Sequence, residues 1–264
     1  MPNLLKAVLL GIVQGLTEFL PVSSSGHLAI FHELFHFRDN SLLFDVFLHV
    51  GTLVPVFIVF RRDIASLCTT RRRWLPLLVL GTVPVVLVGA LLHDKIEAVS
   101  EHVQWVGVLL IVNGVVLFAG SRLDALRPKQ APGWLHAAAV GIAQAVAILP
   151  GISRSGSTIS TGLATGLGRE DAARFSFLLA IPAILLALAY KLWKVLGGSE
   201  AVAPGTWASI AAGTVVAMVV GYGALRVLLV VVRRHRLAYF GWYCIAVGAV
   251  VVAYHLVHNV LRLA

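Results

Sequence analysis

Residues 11–27 read GIVQGLTEFLPVSSSGH, and residues 141–157 read GIAQAVAILPGISRSGS. Aligned without gaps at an offset of 130, Gly11, Ile12, Gln14, Ser23, Ser25 and Gly26 recur as Gly141, Ile142, Gln144, Ser153, Ser155 and Gly156. Each stretch is an apolar, helix-like run that breaks at Pro and Gly and then presents a Ser-rich turn. Such polar, helix-breaking sequence is costly in lipid unless it is buried in protein or lines a wet cavity. Two copies, one in each half of the chain, predict one composite site between the halves.

The surrounding sequence is that of a membrane protein. Mean hydropathy is +0.90 and only 12% of residues are charged. Apolar runs at 43–60, 75–92, 103–120, 172–194, 207–232 and 238–257 approach the roughly 20 residues that cross a bilayer. The net charge of +9 comes from basic residues clustered in the connecting loops, so it points to topology and not to nucleic acid. Two cysteines, Cys68 and Cys244, make no disulfide framework. The N-terminus runs with a single Lys6 into the first motif and reads as structural, not as a cleaved leader. Trp74, Trp105, Trp207 and Tyr239 stand near span ends, where aromatic rings anchor at the interface.

Two apolar stretches are too short to span. Residues 4–20 carry Gln14, Thr17 and Glu18 and are followed by a short piece at 27–37; residues 134–149 are followed by 155–167. A helix of about 11–13 residues reaches roughly 16–20 Å, against a hydrocarbon core of about 30 Å. Residues 4–37 and 134–167 are therefore predicted to be re-entrant hairpins that dip into the membrane, turn at the Ser-rich motif and return. Loop charges agree. The loop 61–74 (Arg61, Arg62, Arg71, Arg72, Arg73), the loop 121–133 (Arg122, Arg127, Lys129) and the stretch 226–236 are basic and assigned to the cytoplasm, whereas 93–101 is acidic and outside. Most of the 21 Lys and Arg then fall inside. The expected fold is an all-α polytopic membrane protein, a single domain over 1–264. It consists of two inverted-topology repeats, 1–120 and 131–264, each a re-entrant hairpin plus three transmembrane helices. A weaker echo fits the repeat: Gly81, Thr82, Val83 and Gly89 match Gly213, Thr214, Val215 and Gly221.

The candidate chemistry sits in the two turns. Gln14 and Glu18, four apart, share a helix face, and a carboxylate inside a membrane is a functional-site hypothesis by default. Pro21-Val22-Ser23-Ser24-Ser25-Gly26-His27 follows. One serine there is accounted for by helix capping; the rest of the cluster is not. Ser24 near His27 offers a nucleophile with its base, or a nucleophilic histidine, and the residues leave that choice open. In the second turn, Ser153, Arg154, Ser155, Gly156 and Thr158 combine a planar guanidinium suited to phosphate oxygens with hydroxyls and free N–H groups at a helix start. Arg154 has a second reading, as the ion-pair partner of Glu18. Asp45 and His49 fall four apart and are read as structural residues at the edge of the same cavity. Gln144 repeats Gln14 but lacks its acid partner, since Ile148 holds the position of Glu18.

These motifs resemble the integral-membrane undecaprenyl-diphosphate phosphatases of bacteria, the bacitracin-resistance type. The match lies in Gln14 through His27 and in Pro150-Gly151-Ile152-Ser153-Arg154-Ser155-Gly156. The resemblance implies hydrolysis of undecaprenyl diphosphate to undecaprenyl phosphate, which recycles the lipid carrier of peptidoglycan and other envelope sugars and confers bacitracin resistance. It implies Glu18, Ser24, His27 and Arg154 as catalytic residues, with Gln14, Ser23, Ser25, Gly26, Ser153, Ser155, Gly156 and Thr158 about the substrate. It further implies a divalent cation, Mg or Ca, with Glu18 as its ligand, and a multi-pass protein of the bacterial plasma membrane whose site opens to the periplasm. The expected partners are a polyprenyl diphosphate lipid, the membrane lipids and a second copy in a homodimer, with no nucleic acid. One departure stands out: many members carry Glu where this chain has Gln14. The rival class is a transporter or lipid flippase, because broken helices in inverted repeats are also transporter architecture.

Overall fold

The computed structural model describes residues 2–34, 42–100, 102–124, 130–194 and 206–263. They form ten helices: α1 Pro2–Phe19, α2 Ser24–Leu34, α3 Leu42–Leu67, α4 Trp74–Ser100, α5 Val103–Asp124, α6 Trp134–Val146, α7 Arg154–Ala164, α8 Arg169–Lys194, α9 Thr206–Arg233 and α10 Leu237–Leu263. Five stretches are long and apolar enough to cross a membrane: Trp74–Leu92, Val103–Asp124, Arg169–Tyr190, Trp207–Arg233 and Leu237–His258. The remaining predicted span, 43–60, lies within the 26-residue α3. The protein is an all-α, multi-pass membrane protein.

Helices outrun the predicted spans at several ends. Residues 93–100, expected as an acidic loop, continue α4, and 61–67 continue α3. Neither stretch contains Pro or Gly, and both are rich in ordinary helix formers. The two predicted hairpins are the helix pairs α1–α2 and α6–α7. Their outgoing helices start earlier than expected, at Ser24 and Arg154, because a serine caps each one. The end of the predicted 27–37 piece lies outside the described residues, and α7 stops at Ala164 instead of 167. The second hairpin closes on itself. Gln130, before α6, forms a parallel bridge with Leu167, after α7, and its N–H donates to the Gly166 carbonyl at 2.8 Å. The segment thus leaves and returns at one place.

In lipid, apolar helices gain little from burying apolar surface on each other, so close packing and polar contacts must hold them together. Glycine provides the approach. A Cβ on Gly11 of α1 would stand 2.6 Å from the Gly213 carbonyl of α9, and one on Gly141 of α6 would stand 2.6 Å from the Gly81 carbonyl of α4. Between α5 and α10, Gly107 faces Gly248 and Gly114 faces Gly241 in the same manner. Phe19, Phe60, Ile159, Phe177 and Leu225 form the largest apolar cluster, which ties α1 and α7 to α3, α8 and α9. Trp74, expected at an interface, is instead buried edge-on against Phe175; Trp105, Trp207 and Tyr239 are exposed.

Candidate active site

The two Ser-rich turns meet. Gly151 has φ +106°, a conformation that favours glycine, and a Cβ on Gly26 would lie 3.0 Å from the Gly151 Cα. Ser23 takes φ +70°, unusual for a residue with a side chain. Its hydroxyl holds that geometry by accepting from Gly26 N–H at 3.3 Å and from Gly151 N–H, in the other turn, at 3.0 Å. Ser153 plays the matching part for α7, accepting from Gly156 N–H at 3.1 Å. Ser155 crosses back to donate to the Phe19 carbonyl at 2.9 Å. Asn113, fully buried on α5, clamps both turns: its amide N–H donates to the Pro21 carbonyl at 3.0 Å and its oxygen accepts from Ser153 N–H at 3.0 Å.

These contacts frame a cavity of about 240 Å³. Thr17, Glu18, Ser23, Ser24, Ser25, His49, Gln144, Ser153 and Arg154 give its polar lining; Val46, Val85, Ile148, Ile184 and Leu188 are among the apolar residues that complete it. Both α2 and α7 begin here, so two helix N-termini, with free N–H groups and positive dipole ends, border the same space. Glu18 is the centre. Its Oε2 accepts from Ser24 Oγ at 2.7 Å and from Gln14 Nε2 at 3.0 Å, and its Oε1 pairs with Arg154 of the second turn. His49 of α3 stands 3.9 Å from Oε2. The geometry therefore contains both readings of Arg154: it is the counter-ion of Glu18 and it lines a space into which an anion fits. Asp45's side chain lies outside the described residues.

The predicted Ser24–His27 pair does not form. Ser24 turns to Glu18, while His27 is buried on the far side of its turn and does not line the cavity. Its Nδ1 lies 2.8 Å from the Ser23 carbonyl, its Nε2 2.8 Å from the Tyr243 hydroxyl, and the two rings stack with centroids 5.7 Å apart. The reason is helical: His27 is four residues after Ser23 and follows the α2 face that packs inward. Gln14, Gly26, Ser155, Gly156 and Thr158 likewise sit behind the cavity wall. Thr158 donates to the Arg154 carbonyl at 2.7 Å and steadies the start of α7. Of the predicted site, Glu18, Ser23, Ser24, Ser25, Ser153 and Arg154 face the space together. Asn113, Tyr243 and Gln144 were not among the predicted site residues. An amide well inside an apolar run was the available signal for Asn113 and Gln144; Tyr243 gave none.

The donors do not make a protein-only cation site. Both oxygens of Glu18 are already engaged, and among the described residues no group of three or more His, Cys, Asp or Glu converges. Magnesium is commonly held by one or two carboxylates together with substrate phosphates, so Glu18 would hold such a cation only jointly with the phosphate oxygens of a bound diphosphate.

Comparison with known proteins identifies the family. Residues 7–250 match the family described as "Bacitracin resistance protein BacA". A protein of Halothermothrix orenii named "Undecaprenyl-diphosphatase" is 41% identical over 255 residues, covering 95% of this chain and 97% of its own. Proteins of the same name from Carboxydothermus hydrogenoformans and Rhodopirellula baltica are 41% and 42% identical, covering 94% and 97% of this chain and 96% and 100% of theirs. With a family match and full-length relatives on that scale, the chain belongs to the bacitracin resistance protein BacA family.

Proposed function

We propose that this protein is an undecaprenyl-diphosphate phosphatase that releases phosphate and returns undecaprenyl phosphate as a carrier for peptidoglycan and envelope synthesis, with bacitracin resistance as a consequence. The observation that carries the reading is a serine hydroxyl hydrogen-bonded to a carboxylate that also pairs with an arginine, all three lining one cavity at two helix N-termini. Binding or moving an anion needs the arginine and the N-termini. It does not need an oriented hydroxyl with a base attached, which is why hydrolysis is preferred over transport.

Ser24 Oγ is the nucleophile in this reading. It forms the bond to the terminal phosphorus as the bond to the bridging oxygen breaks, and its proton passes to Glu18 Oε2, which it already donates to. Water then hydrolyses the seryl phosphate, releasing phosphate and restoring the hydroxyl. The Arg154 guanidinium pairs with Glu18 in the structure, and its planar fork is also placed to take the phosphoryl oxygens of a bound diphosphate. The guanidinium and the helix starts stabilise charge spreading over the phosphoryl oxygens. His27 pins the turn through Ser23 and Tyr243. The apolar side of the cavity receives the start of the lipid chain.

We further read the chain as two inverted repeats, 1–120 and 131–264, with the cavity opening to the periplasm. Supporting this, Gly11 against Gly213 and Gly141 against Gly81 are the same contact under the sequence repeat. Phosphate release from undecaprenyl diphosphate by the purified protein in detergent tests the function. Binding of the lipid with no release, by protein shown to be folded, would return the reading to a transporter.

A further inference from the structure

Gln144 is an anomaly in the cavity wall. It is 1% exposed and lines the cavity from the last turn of α6, yet neither its Nε2 nor its Oε1 has a hydrogen-bond partner. Its repeat mate Gln14 donates to Glu18. Gln144 has no such acid, because Ile148 stands one turn on and lines the same cavity. An amide buried without partners is destabilising, and buried polar groups are almost always satisfied. Within the same cavity stand Arg154, Ser24 and two helix N-termini, all of which favour an anion.

We infer that Gln144 is a substrate contact for the diphosphate group: its Nε2 donates to a phosphate oxygen, and its Oε1 accepts from water held by the same group. This rests on the phosphatase reading and adds a binding residue to it. The amide is not part of the nucleophile or its base. It is a neutral donor on the wall formed by α6, among Ala147 and Ile148, where the head group meets the apolar side of the cavity. A neutral amide suits that place, since it needs no counter-ion when the cavity is empty.

The test uses Gln144→Leu and Gln144→Met, which keep the side chain's bulk without its polarity. Two quantities are measured in detergent: kcat/KM for phosphate release from a polyprenyl diphosphate, and the shift in thermal unfolding midpoint caused by a polyprenyl methylenediphosphonate, which cannot be hydrolysed. The expected result is an unliganded midpoint equal to or above wild type, a kcat/KM lower by roughly 10- to 100-fold, the scale of one hydrogen bond to a charged group, and a smaller ligand-induced shift. Wild-type kcat/KM together with a wild-type shift in either folded variant overturns the inference. A lowered unliganded midpoint in both also overturns it, since the amide would then be satisfied within the protein. Wild-type protein that binds the diphosphonate but releases no phosphate counts against the phosphatase reading alone, and the shift still reads the contact.

Discussion

Ser24 and His27 stand three residues apart in one turn, and their environments assign them different work. Ser24 faces the cavity, donates to Glu18 at 2.7 Å and has Arg154 beside it. Both ring nitrogens of His27 are held, by a carbonyl and by Tyr243, and the ring does not line the cavity, so it reaches a phosphorus atom there only by giving up at least one of these partners and moving. The expected phosphoryl-enzyme is therefore acid-stable, as a phosphoserine is, and Ser24→Ala removes it and lowers turnover by roughly 10³-fold or more. An acid-labile adduct that survives in Ser24→Ala would place the chemistry on His27. Arg154 carries a second prediction. Lys keeps the charge but not the planar fork that fits phosphoryl oxygens, so Arg154→Lys is expected to cost about 10²-fold or more in turnover at saturating substrate. If it retained wild-type turnover, Arg154 would be only the counter-ion of Glu18. The turn serines divide in the same way: Ser23 and Ser153 are chiefly caps and cross-braces, whose loss would orphan buried N–H groups.

At the scale of helices, the hairpins are held where glycine lets backbones touch. Gly141 against Gly81 and Gly11 against Gly213 bring α6 onto α4 and α1 onto α9. A valine at either Gly11 or Gly141 places its Cβ 2.6 Å from a backbone carbonyl, which no side-chain rotation relieves. Gly141→Val should therefore destabilise the fold by about 1–3 kcal/mol of overpacking or more, seen as a lower thermal unfolding midpoint in detergent, and turnover should fall with it, since α6 carries one cavity wall. Gly168, beside which a Cβ would meet nothing within 4 Å, gives the control: Gly168→Ala is expected to leave the midpoint nearly unchanged. Equal behaviour of the two variants would remove glycine packing as the reason the hairpins dock.

For the whole molecule, the open question with the sharpest test is which way it sits in the membrane. The basic ends of α3, α5 and α9 predict a cytoplasmic location, and the cavity then faces the periplasm. In protein lacking the exposed Cys68 and the buried Cys244, a cysteine at Arg72 should resist an impermeant thiol reagent in intact cells and react after permeabilisation. Labelling from outside would invert the map. The sequence alone determined that the chain is helical and membrane-embedded, that two segments break at polar turns, and that Glu18, Ser24 and Arg154 belong to one site. Hydropathy, Pro and Gly punctuation and the cost of polar groups in lipid act locally, so they are written along the chain. Tertiary structure decided which neighbours those groups keep. Ser24 bonds Glu18 instead of His27, Asn113 binds both turns from a helix 92 residues away from Pro21, and Gln144 is left in the cavity wall without a partner. Side-chain direction at a helix start, and contacts between residues far apart in sequence, depend on how the helices pack, and no local pattern encodes that.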